Sequence, residues 1–308
     1  MNNPDILTHG WLIFTVMVGV FLLAAFWRKQ PIGIALLFGA IAGAIVAGNG
    51  IPIRHLVEGI FTYLDPILII FTALIFMRVI DENGALGTLA RIIITRFATQ
   101  PILLVLIVTL FIMFPAMLTG ITTTSVLTTG ALMAPALIAL GVPALTTAAM
   151  IALVSLLGMI APPINLLVML IGQGVDMPYI GFEGPLALIA FPLAFFTSFT
   201  LAFKHLRNAD TSLAVANLPE IQSDKKGIIL FLPLIVVFLL MIIVRIFPEF
   251  VPDIGAPLIF LIGAAIGLYT GKPVKIQRTI YKALLTGLPV LGLLAGIGIF
   301  LQIMTLTG

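Results

Sequence analysis

The segment Thr119-Gly-Ile-Thr-Thr-Thr-Ser125 interrupts a neutral, strongly apolar part of the chain. From Phe97 to Val175 there is no Asp, Glu, Lys or Arg, and a second interruption, Ala161-Pro-Pro-Ile-Asn165, follows in the same stretch. Such sequence is typical of a lipid bilayer, where a broken helix is tolerated only inside protein or beside a water-filled cavity. The two breaks therefore predict a binding site for a small solute or ion near the middle of the membrane. The alternative is that Pro and Gly only kink two ordinary spans.

The composition indicates an all-α polytopic membrane protein. Hydrophobic residues make up 61% of the chain, charged residues only 9%, and the mean hydropathy is +1.26. Soluble domains usually carry about 25% charged residues. The absence of cysteine excludes disulfides, thiolate metal sites and cysteine catalysis. The net charge of +3 does not indicate nucleic-acid binding, because the basic residues are distributed as topology signals.

The apolar segments and the basic residues together predict a topology. Outside the neutral block, spans are predicted at 11–27, 31–49, 64–80, 185–203, 228–247, 255–271 and 286–304. Thirteen of the 15 basic residues fall in loops that the positive-inside rule assigns to the cytoplasm: Arg28, Lys29, Arg78, Arg91, Arg96, Lys204, Arg207, Lys225, Lys226, Lys272, Lys275, Arg278 and Lys282. The opposite loops hold only Arg54 and Arg245. The first apolar run precedes its basic residues, which predicts a retained span with the amino terminus outside.

This topology constrains the neutral block, which begins inside and ends outside and so crosses an odd number of times. Three full spans fit its length. A re-entrant hairpin at 102–141, followed by a broken span at 143–172, fits equally well. We favour the hairpin because Val126–Leu140 is short for a span and the hydroxyl-rich tip is a poor exposed loop. Helical spacing in 84–97 predicts an interface helix, and 205–227 is predicted to be a cytoplasmic linker.

The two ends of the chain are related by a weak internal repeat. Four pairs of residues match in the same order: Gly33 with Gly255, Pro66 with Pro289, Phe76 with Phe300, and Gly84 with Gly308. The charge pattern predicts that 64–80 crosses from outside to inside and that 286–304 crosses from inside to outside. The two copies are therefore inverted, as in many secondary transporters. We therefore divide the chain into a first repeat, 1–204, the linker, and a second repeat, 228–308. Counterparts of 85–203 do not follow, so we expect a fragment or a contribution from another chain.

Two segments carry a family resemblance. Residues Thr119–Leu137 and the break Gly158-Met-Ile-Ala-Pro-Pro-Ile-Asn165 resemble the large (DctM-like) membrane subunit of tripartite ATP-independent periplasmic (TRAP) transporters. The resemblance implies an ion-transporter fold with a scaffold and a mobile transport domain in a bacterial inner membrane. It also implies Na⁺-coupled uptake of a small, C4-dicarboxylate-like organic acid, a periplasmic solute-binding protein and a small DctQ-like membrane subunit. The chain departs from the family in Ile164-Asn165, where a Ser usually follows the Pro pair, and in its Thr-rich tip.

The candidate site follows from the chemistry of both breaks. Its members supply hydroxyls, free carbonyls or an amide: Thr119, Gly120, Thr122, Thr123, Thr124, Ser125, Pro162, Pro163 and Asn165. Sodium prefers oxygen ligands, so Thr122, Thr123 and Ser125 with nearby carbonyls are the expected ion ligands. The two prolines remove amide donors and thereby free carbonyls, and helix amino termini after each break favour a carboxylate. Thr128 and Thr129 are expected to bond to their own helix instead.

The neutral block also bears on function classes other than a transporter. The block 97–175 holds no His, Asp, Glu or Cys, so it offers no acid, metal site or nucleophile–base pair for an enzyme, and we expect no cofactor beyond the coupling ion. A channel is one alternative function, because hydroxyls and carbonyls also line ion pores. A stand-alone anion or citrate-type symporter and a non-transporting, truncated scaffold are the remaining alternatives. Uptake without a binding protein would favour the stand-alone symporter, and a steady ion current would favour the channel.

Overall fold

The computed structural model describes residues 4–97, 99–175, 177, 181–206, 227–247 and 254–307, and the regular structure of these residues is helical. The helices are α1 (Pro4–Leu22), α2 (Ile32–Val46), α3 (Ile53–Thr62), α4 (Leu64–Glu82), α5 (Ala85–Phe97), α6 (Pro101–Thr119), α7 (Thr122–Ser125), α8 (Ala131–Ala139), α9 (Ala144–Ile160), α10 (Leu166–Gly174), α11 (Glu183–Leu206), α12 (Leu232–Ile246), α13 (Gly255–Thr270) and α14 (Ile276–Thr307). π-Helical turns extend α1 through Leu23–Trp27 and join α7 to α8 through Val126–Gly130, and a 3₁₀ turn, Ile228–Phe231, precedes α12.

Several of these helices are long and apolar enough to cross a bilayer, so the chain is a helical membrane protein. In the described residues the candidate spans are His9–Trp27, Pro101–Thr119, Thr122–Ala139, Glu183–Leu206 and Ile276–Thr307. A sixth arises if α3 and α4, which meet at a bend of 58°, form one span. The sequence predicted a span over 64–80 only and left α3 unassigned. The predicted segments 31–49, 228–247 and 255–271 contain shorter apolar helices.

The described residues fall into two compact units. Unit 1 is formed by the described parts of Met1–Leu68, Met169–Tyr179 and Leu285–Gly308, and unit 2 by those of Ile69–Val168 and Ile180–Leu284. Each unit therefore combines segments from both predicted repeats. The predicted linker 205–227 lies outside the described residues except at its ends.

Unit 1 is held together where glycines bring helix backbones into contact. A Cβ atom added at Gly33 would lie 2.0 Å from the carbonyl oxygen of Gly292, and one at Gly298 would lie 2.1 Å from that of Gly59. The amino-terminal end of α2 and helix α3 therefore approach α14 more closely than any larger residue permits. Small residues at such contacts are a common way to pack helices in lipid.

Tyr63 fills the bend between α3 and α4 in unit 1. Its side chain is fully buried, and its hydroxyl donates a hydrogen bond of 3.1 Å to the carbonyl of Leu170 in α10. A Cβ at Gly298 would lie 3.0 Å from the Tyr63 ring, so the bend also packs against α14. The hydrogen bond to Leu170 therefore holds α10, the helix that follows the second predicted break, in place.

Unit 2 anchors the carboxyl end of α4 on α13 and α14. The rings of Phe76 and Phe260 are 5.8 Å apart, and Asn83 Nδ2 donates to the carbonyl of Gly267 at 3.2 Å. Glu82 accepts hydrogen bonds from Thr279 Oγ1 at 2.6 Å and from Lys282 Nζ at 2.9 Å. These polar contacts pair the buried or half-buried groups at the end of α4, as burial requires.

Helix α5 matches the helix predicted over 84–97. One face is buried in unit 2 and includes Leu86, Ala90, Ile93 and Ile94, whereas Arg96 is exposed. The amphipathic spacing seen in the sequence therefore reflects a buried face. Its position at the membrane interface stays a prediction.

Candidate binding site at two helix breaks

The first break lies at Gly120 and Ile121, within the segment that the sequence singled out. Helix α6 ends at Thr119, and Gly120 adopts the left-handed conformation with φ 66° while its N–H donates to the Ala116 carbonyl at 2.8 Å. Ile121 is extended, and the chain becomes helical again at Thr122. Glycine is the residue that reaches this conformation at least cost, so the break is encoded locally.

Hydroxyl groups fold the chain after this break back onto α6. Ser125 Oγ donates to the carbonyl of Ile112, and Thr129 Oγ1 donates to the same carbonyl at 3.2 Å. Ser155 Oγ of α9 donates to Ser125 Oγ at 3.1 Å. Helix α6 and the helical segment Thr122–Ala139 are therefore the two arms of a helical hairpin, and α9 packs against this hairpin. Both arms are long enough to cross a membrane, so the re-entrant arrangement stays a prediction beside two full spans.

The second break separates α9 from α10. Helix α9 ends at Ile160, Ala161 is extended, and α10 begins at Leu166. Asn165 bridges the gap, because its Nδ2 donates to the Ile160 carbonyl at 2.7 Å and its Oδ1 accepts from the Val168 N–H at 3.0 Å. The donor and acceptor that the sequence assigned to a ligand are therefore also used to cap the two helix ends.

The two breaks meet in unit 2, although the sequence only suggested that they face each other. The Ile164 N–H donates to the Met117 carbonyl at 3.2 Å. A Cβ at Gly120 would lie 2.8 Å from Leu166 Cβ, so the breaks are in direct contact. Thr122 Oγ1 also lies 3.4 Å from Met159 Sδ in the last turn of α9. Non-helical backbone from two segments is thereby brought to one place inside protein, as the bilayer requires.

The candidate hydroxyls divide into groups with different environments. Thr119 is buried and donates to the Pro115 carbonyl at 2.8 Å, and Ser125 is buried in the hairpin contact. Thr123 is exposed, and Thr122 is half-buried. Thr124 is 6% exposed, and within the described part of the chain its hydroxyl has no hydrogen-bond partner. Thr119 and Ser125 therefore stabilise the fold, whereas Thr123 and Thr124 retain bonding capacity for a ligand.

The remaining predicted residues line the second break. Pro162 is half-buried and Pro163 is exposed, and both lie in the non-helical segment between α9 and α10. Thr128 was excluded from the site, and its Oγ1 indeed donates within its own helix, to the Thr124 carbonyl at 2.6 Å. Thr129 bonds to its own helix, at Ser125 O, and also across the hairpin to Ile112 O.

Sequence reasoning missed two side chains of this region, Ser155 and Met159. Both lie on α9 and contact the tip through Ser125 and Thr122. Their spacing of four residues puts them on one helix face that leads to the break at Ala161. The available signal in the sequence was Ser155, a single hydroxyl residue on the face of α9 that leads to the second break.

The electrostatics of the region come from the backbone. Because 97–175 holds no ionisable Asp, Glu, Lys or Arg, polarity is supplied by carbonyls at the ends of α6 and α9 and by N–H groups at the starts of α7 and α10. Carbonyl ends favour a cation and amino-terminal ends favour an anion. The arrangement can therefore hold a small ion pair without a charged side chain. No protein-family model, curated protein or solved structure matches this chain.

Proposed function

We propose that the protein is the membrane permease subunit of a secondary active, Na⁺-coupled transporter that takes up a small organic acid of the C4-dicarboxylate type. The proposal follows from a membrane-embedded site that offers oxygens to a cation and helix amino termini to a carboxylate. A periplasmic solute-binding protein delivers the substrate, and a small DctQ-like subunit accompanies the permease. The protein resides in a bacterial inner membrane with its amino terminus in the periplasm.

The contact between the two breaks carries this proposal. Kinked but ordinary spans would have no reason to place both interruptions against each other. Here the Ile164 N–H pairs with the Met117 carbonyl, and a nearby buried hydroxyl, that of Thr124, has no partner among the residues that the structure describes. A buried polar group without a partner costs about 1–3 kcal/mol. Coordination of a transported Na⁺ by the Thr124 hydroxyl oxygen would offset that cost.

Reciprocal contacts in the two units support the inverted repeat. A Cβ at Gly263 in α13 would lie 2.8 Å from Phe76 Cε2 in unit 2, and one at Gly39 in α2 would lie 3.2 Å from Phe300 Cε2 in unit 1. Phe76 and Phe300 are a matched pair in the sequence repeat. Each therefore packs on a glycine of the other half, which is the exchange that an inverted repeat produces.

The first test measures ion binding by the purified chain. We expect Na⁺ to raise the melting temperature in detergent relative to an equal concentration of K⁺, because a ligand that binds only the folded state stabilises it. Thr124→Val should remove most of this difference. A melting temperature that responds equally to both ions contradicts sodium binding.

The second test measures transport. Proteoliposomes that contain the protein, its small subunit and the binding protein should accumulate labelled succinate only under a Na⁺ gradient. Thr123→Val should reduce uptake several-fold, whereas the matched control Thr95→Val, an exposed threonine of α5 bonded to its own helix, should not. Uptake without the binding protein favours the stand-alone symporter. A steady ion current without accumulation favours a channel.

A further inference from the structure

A polar cluster in unit 1 is separate from the two helix breaks. It consists of His55 and Glu58 in α3 and Gln302 in α14, and all three side chains are half-buried. His55 and Glu58 are three residues apart and are therefore neighbours on one face of α3. The cluster thus brings an imidazole nitrogen, a carboxylate and an amide together where two helices meet.

The atoms of this cluster are close enough to share one metal ion. His55 Nδ1 lies 3.0 Å from Glu58 Oε2, and Gln302 Nε2 lies 3.5 Å from the same oxygen. Two protein atoms that each bind a zinc ion at about 2.1 Å are about 3.0–3.4 Å apart. Among the described residues no third His, Cys, Asp or Glu joins the cluster. A half-turn of the Gln302 amide would put its oxygen in that place and supply a third ligand.

His55 Nδ1 is not satisfied by a hydrogen bond. The atom is buried, and in the part of the chain that the structure describes it has no hydrogen-bond partner, although Glu58 Oε2 is near. A hydrogen bond would place Oε2 close to the N–H direction of the ring. Two atoms that share a metal lie beside that direction instead, because the metal itself occupies the lone-pair position of the nitrogen. A short distance without hydrogen-bond geometry therefore favours a metal between the two atoms.

Arg54 orients the carboxylate and leaves one of its oxygens available. The Arg54 Nε donates to Glu58 Oε1 at 2.8 Å, whereas Oε2 is the atom next to His55 and Gln302. A hydrogen bond of this kind fixes the direction of a metal-binding carboxylate. The Arg54 side chain is 85% exposed, so water and salt screen its repulsion of a cation.

The backbones of α3 and α14 hold the cluster in place. A Cβ at Gly298 would lie 2.1 Å from the carbonyl oxygen of Gly59, so the two helices are in close contact there. Glu58 and Gln302 both lie within one turn of this contact. Sites on packed helices hold their ligands more precisely than sites on loops.

We propose that His55, Glu58 and Gln302 bind a divalent transition-metal cation and that this cation is Zn²⁺. Imidazole is a good zinc ligand, and the Glu58 carboxylate supplies negative charge. Water completes the coordination, because the side chains of His55 and Glu58 are 34% and 38% exposed. The bound metal links α3 to α14 and stabilises unit 1.

The test measures metal binding by the purified, tag-free chain in detergent. Zn²⁺ at micromolar concentration should raise the melting temperature, whereas Mg²⁺, which prefers oxygen ligands, should not. His55→Gln should weaken Zn²⁺ binding more than about 100-fold, because loss of even an outer-shell partner weakens it about 10–100-fold. The chain contains only three histidines. The control H9Q/H205Q removes the other two and should keep the affinity.

A spectroscopic measurement identifies the ligand without altering the site. Cu²⁺ shares the preference for imidazole, so electron paramagnetic resonance of Cu²⁺ bound to H9Q/H205Q should show coupling to one imidazole nitrogen, that of His55. A spectrum without this coupling would overturn the proposal. So would a melting temperature that does not respond to Zn²⁺, an unchanged affinity in His55→Gln, or equal weakening in H9Q/H205Q. The response of the unaltered protein to Zn²⁺ decides the question even if His55→Gln does not fold.

Discussion

Unit 1 and the hairpin of unit 2 differ in how far hydroxyl groups help to join their helices. In unit 1 the close contacts are between backbones, as at Gly33 with Gly292 and at Gly59 with Gly298. The hairpin of unit 2 also has such a contact, because a Cβ at Gly158 would lie 2.7 Å from the Met113 carbonyl oxygen, but it adds hydrogen bonds from hydroxyls to carbonyls, as at Ser125 with Ile112. Lipid is as apolar as leucine, so close packing and hydrogen bonds must hold such helices together. The glycine contacts use no polar side chain, whereas a core built from hydroxyls also retains groups that can bind a ligand.

Burial differs in the same sense. In α6, 61% of the apolar segment is buried inside the protein, whereas only 17% is buried in the first candidate span, His9–Trp27. Broken backbone at membrane depth must be enclosed by protein or water. The protein therefore encloses the hairpin well enough to tolerate a break there, whereas it encloses the first span much less.

The largest expected effect tests the backbone contacts of unit 1. Gly298→Leu places a side chain on a Cβ that would lie 2.1 Å from the Gly59 carbonyl oxygen, and a backbone cannot move aside cheaply. We expect a destabilisation of more than about 3 kcal/mol and loss of monodisperse protein. Size-exclusion chromatography and thermal melting in detergent measure this. Gly292→Ala is the control, because its Cβ would meet nothing within 4 Å; equal loss in both contradicts the contact.

The next effect tests the hydroxyl contacts of unit 2. Ser125→Ala removes the donor to Ile112 and the acceptor for Ser155, which leaves buried groups unpaired at a cost of about 1–3 kcal/mol. Thermal melting of Ser125→Ala, Ser155→Ala and the double variant forms a cycle. We expect the double variant to cost less than the sum of the single variants, because the residues share one hydrogen bond. Strict additivity would show that the two hydroxyls act independently.

A third prediction separates binding from stability. Thr124→Val keeps the shape of the side chain but removes its unpartnered hydroxyl, so the stability of the ion-free protein should stay unchanged or rise by about 1 kcal/mol. Succinate uptake should fall. The control Thr109→Val, whose buried hydroxyl bonds to its own helix at Val105, should keep its uptake. A loss of stability comparable to that of Ser125→Ala would show that Thr124 is structural.

The smallest effect concerns the ion pair between Glu82 and Lys282. The two side chains are 22% and 38% exposed, respectively, so solvent screens their attraction. Lys282→Met should cost less than about 1 kcal/mol in thermal melting. Glu82 keeps its hydrogen bond from Thr279 in this variant. A larger loss would show that this pair is a main anchor of α14.

Features encoded by local backbone preference were predictable. The break at Gly120 and the break before Leu166 follow from a glycine and a proline pair, and α5 follows from its apolar spacing. The bend between α3 and α4 was not predictable, because Arg54, His55 and Glu58 make α3 too polar to read as part of a span. In the structure Arg54 and His55 each pair with Glu58, one turn further along α3.

The sequence by itself determined that this chain belongs in a membrane and where its helices break, because hydropathy and the φ preferences of Gly and Pro act within a few residues. Only the tertiary structure decided that the two breaks touch, that Ser125 and Asn165 bond to carbonyls of the chain, and that the Thr124 hydroxyl has no partner in the described ranges. Hydrogen-bond partners of a hydroxyl depend on packing between distant segments. Several threonines in succession are therefore alike in sequence and become different only when the helices pack.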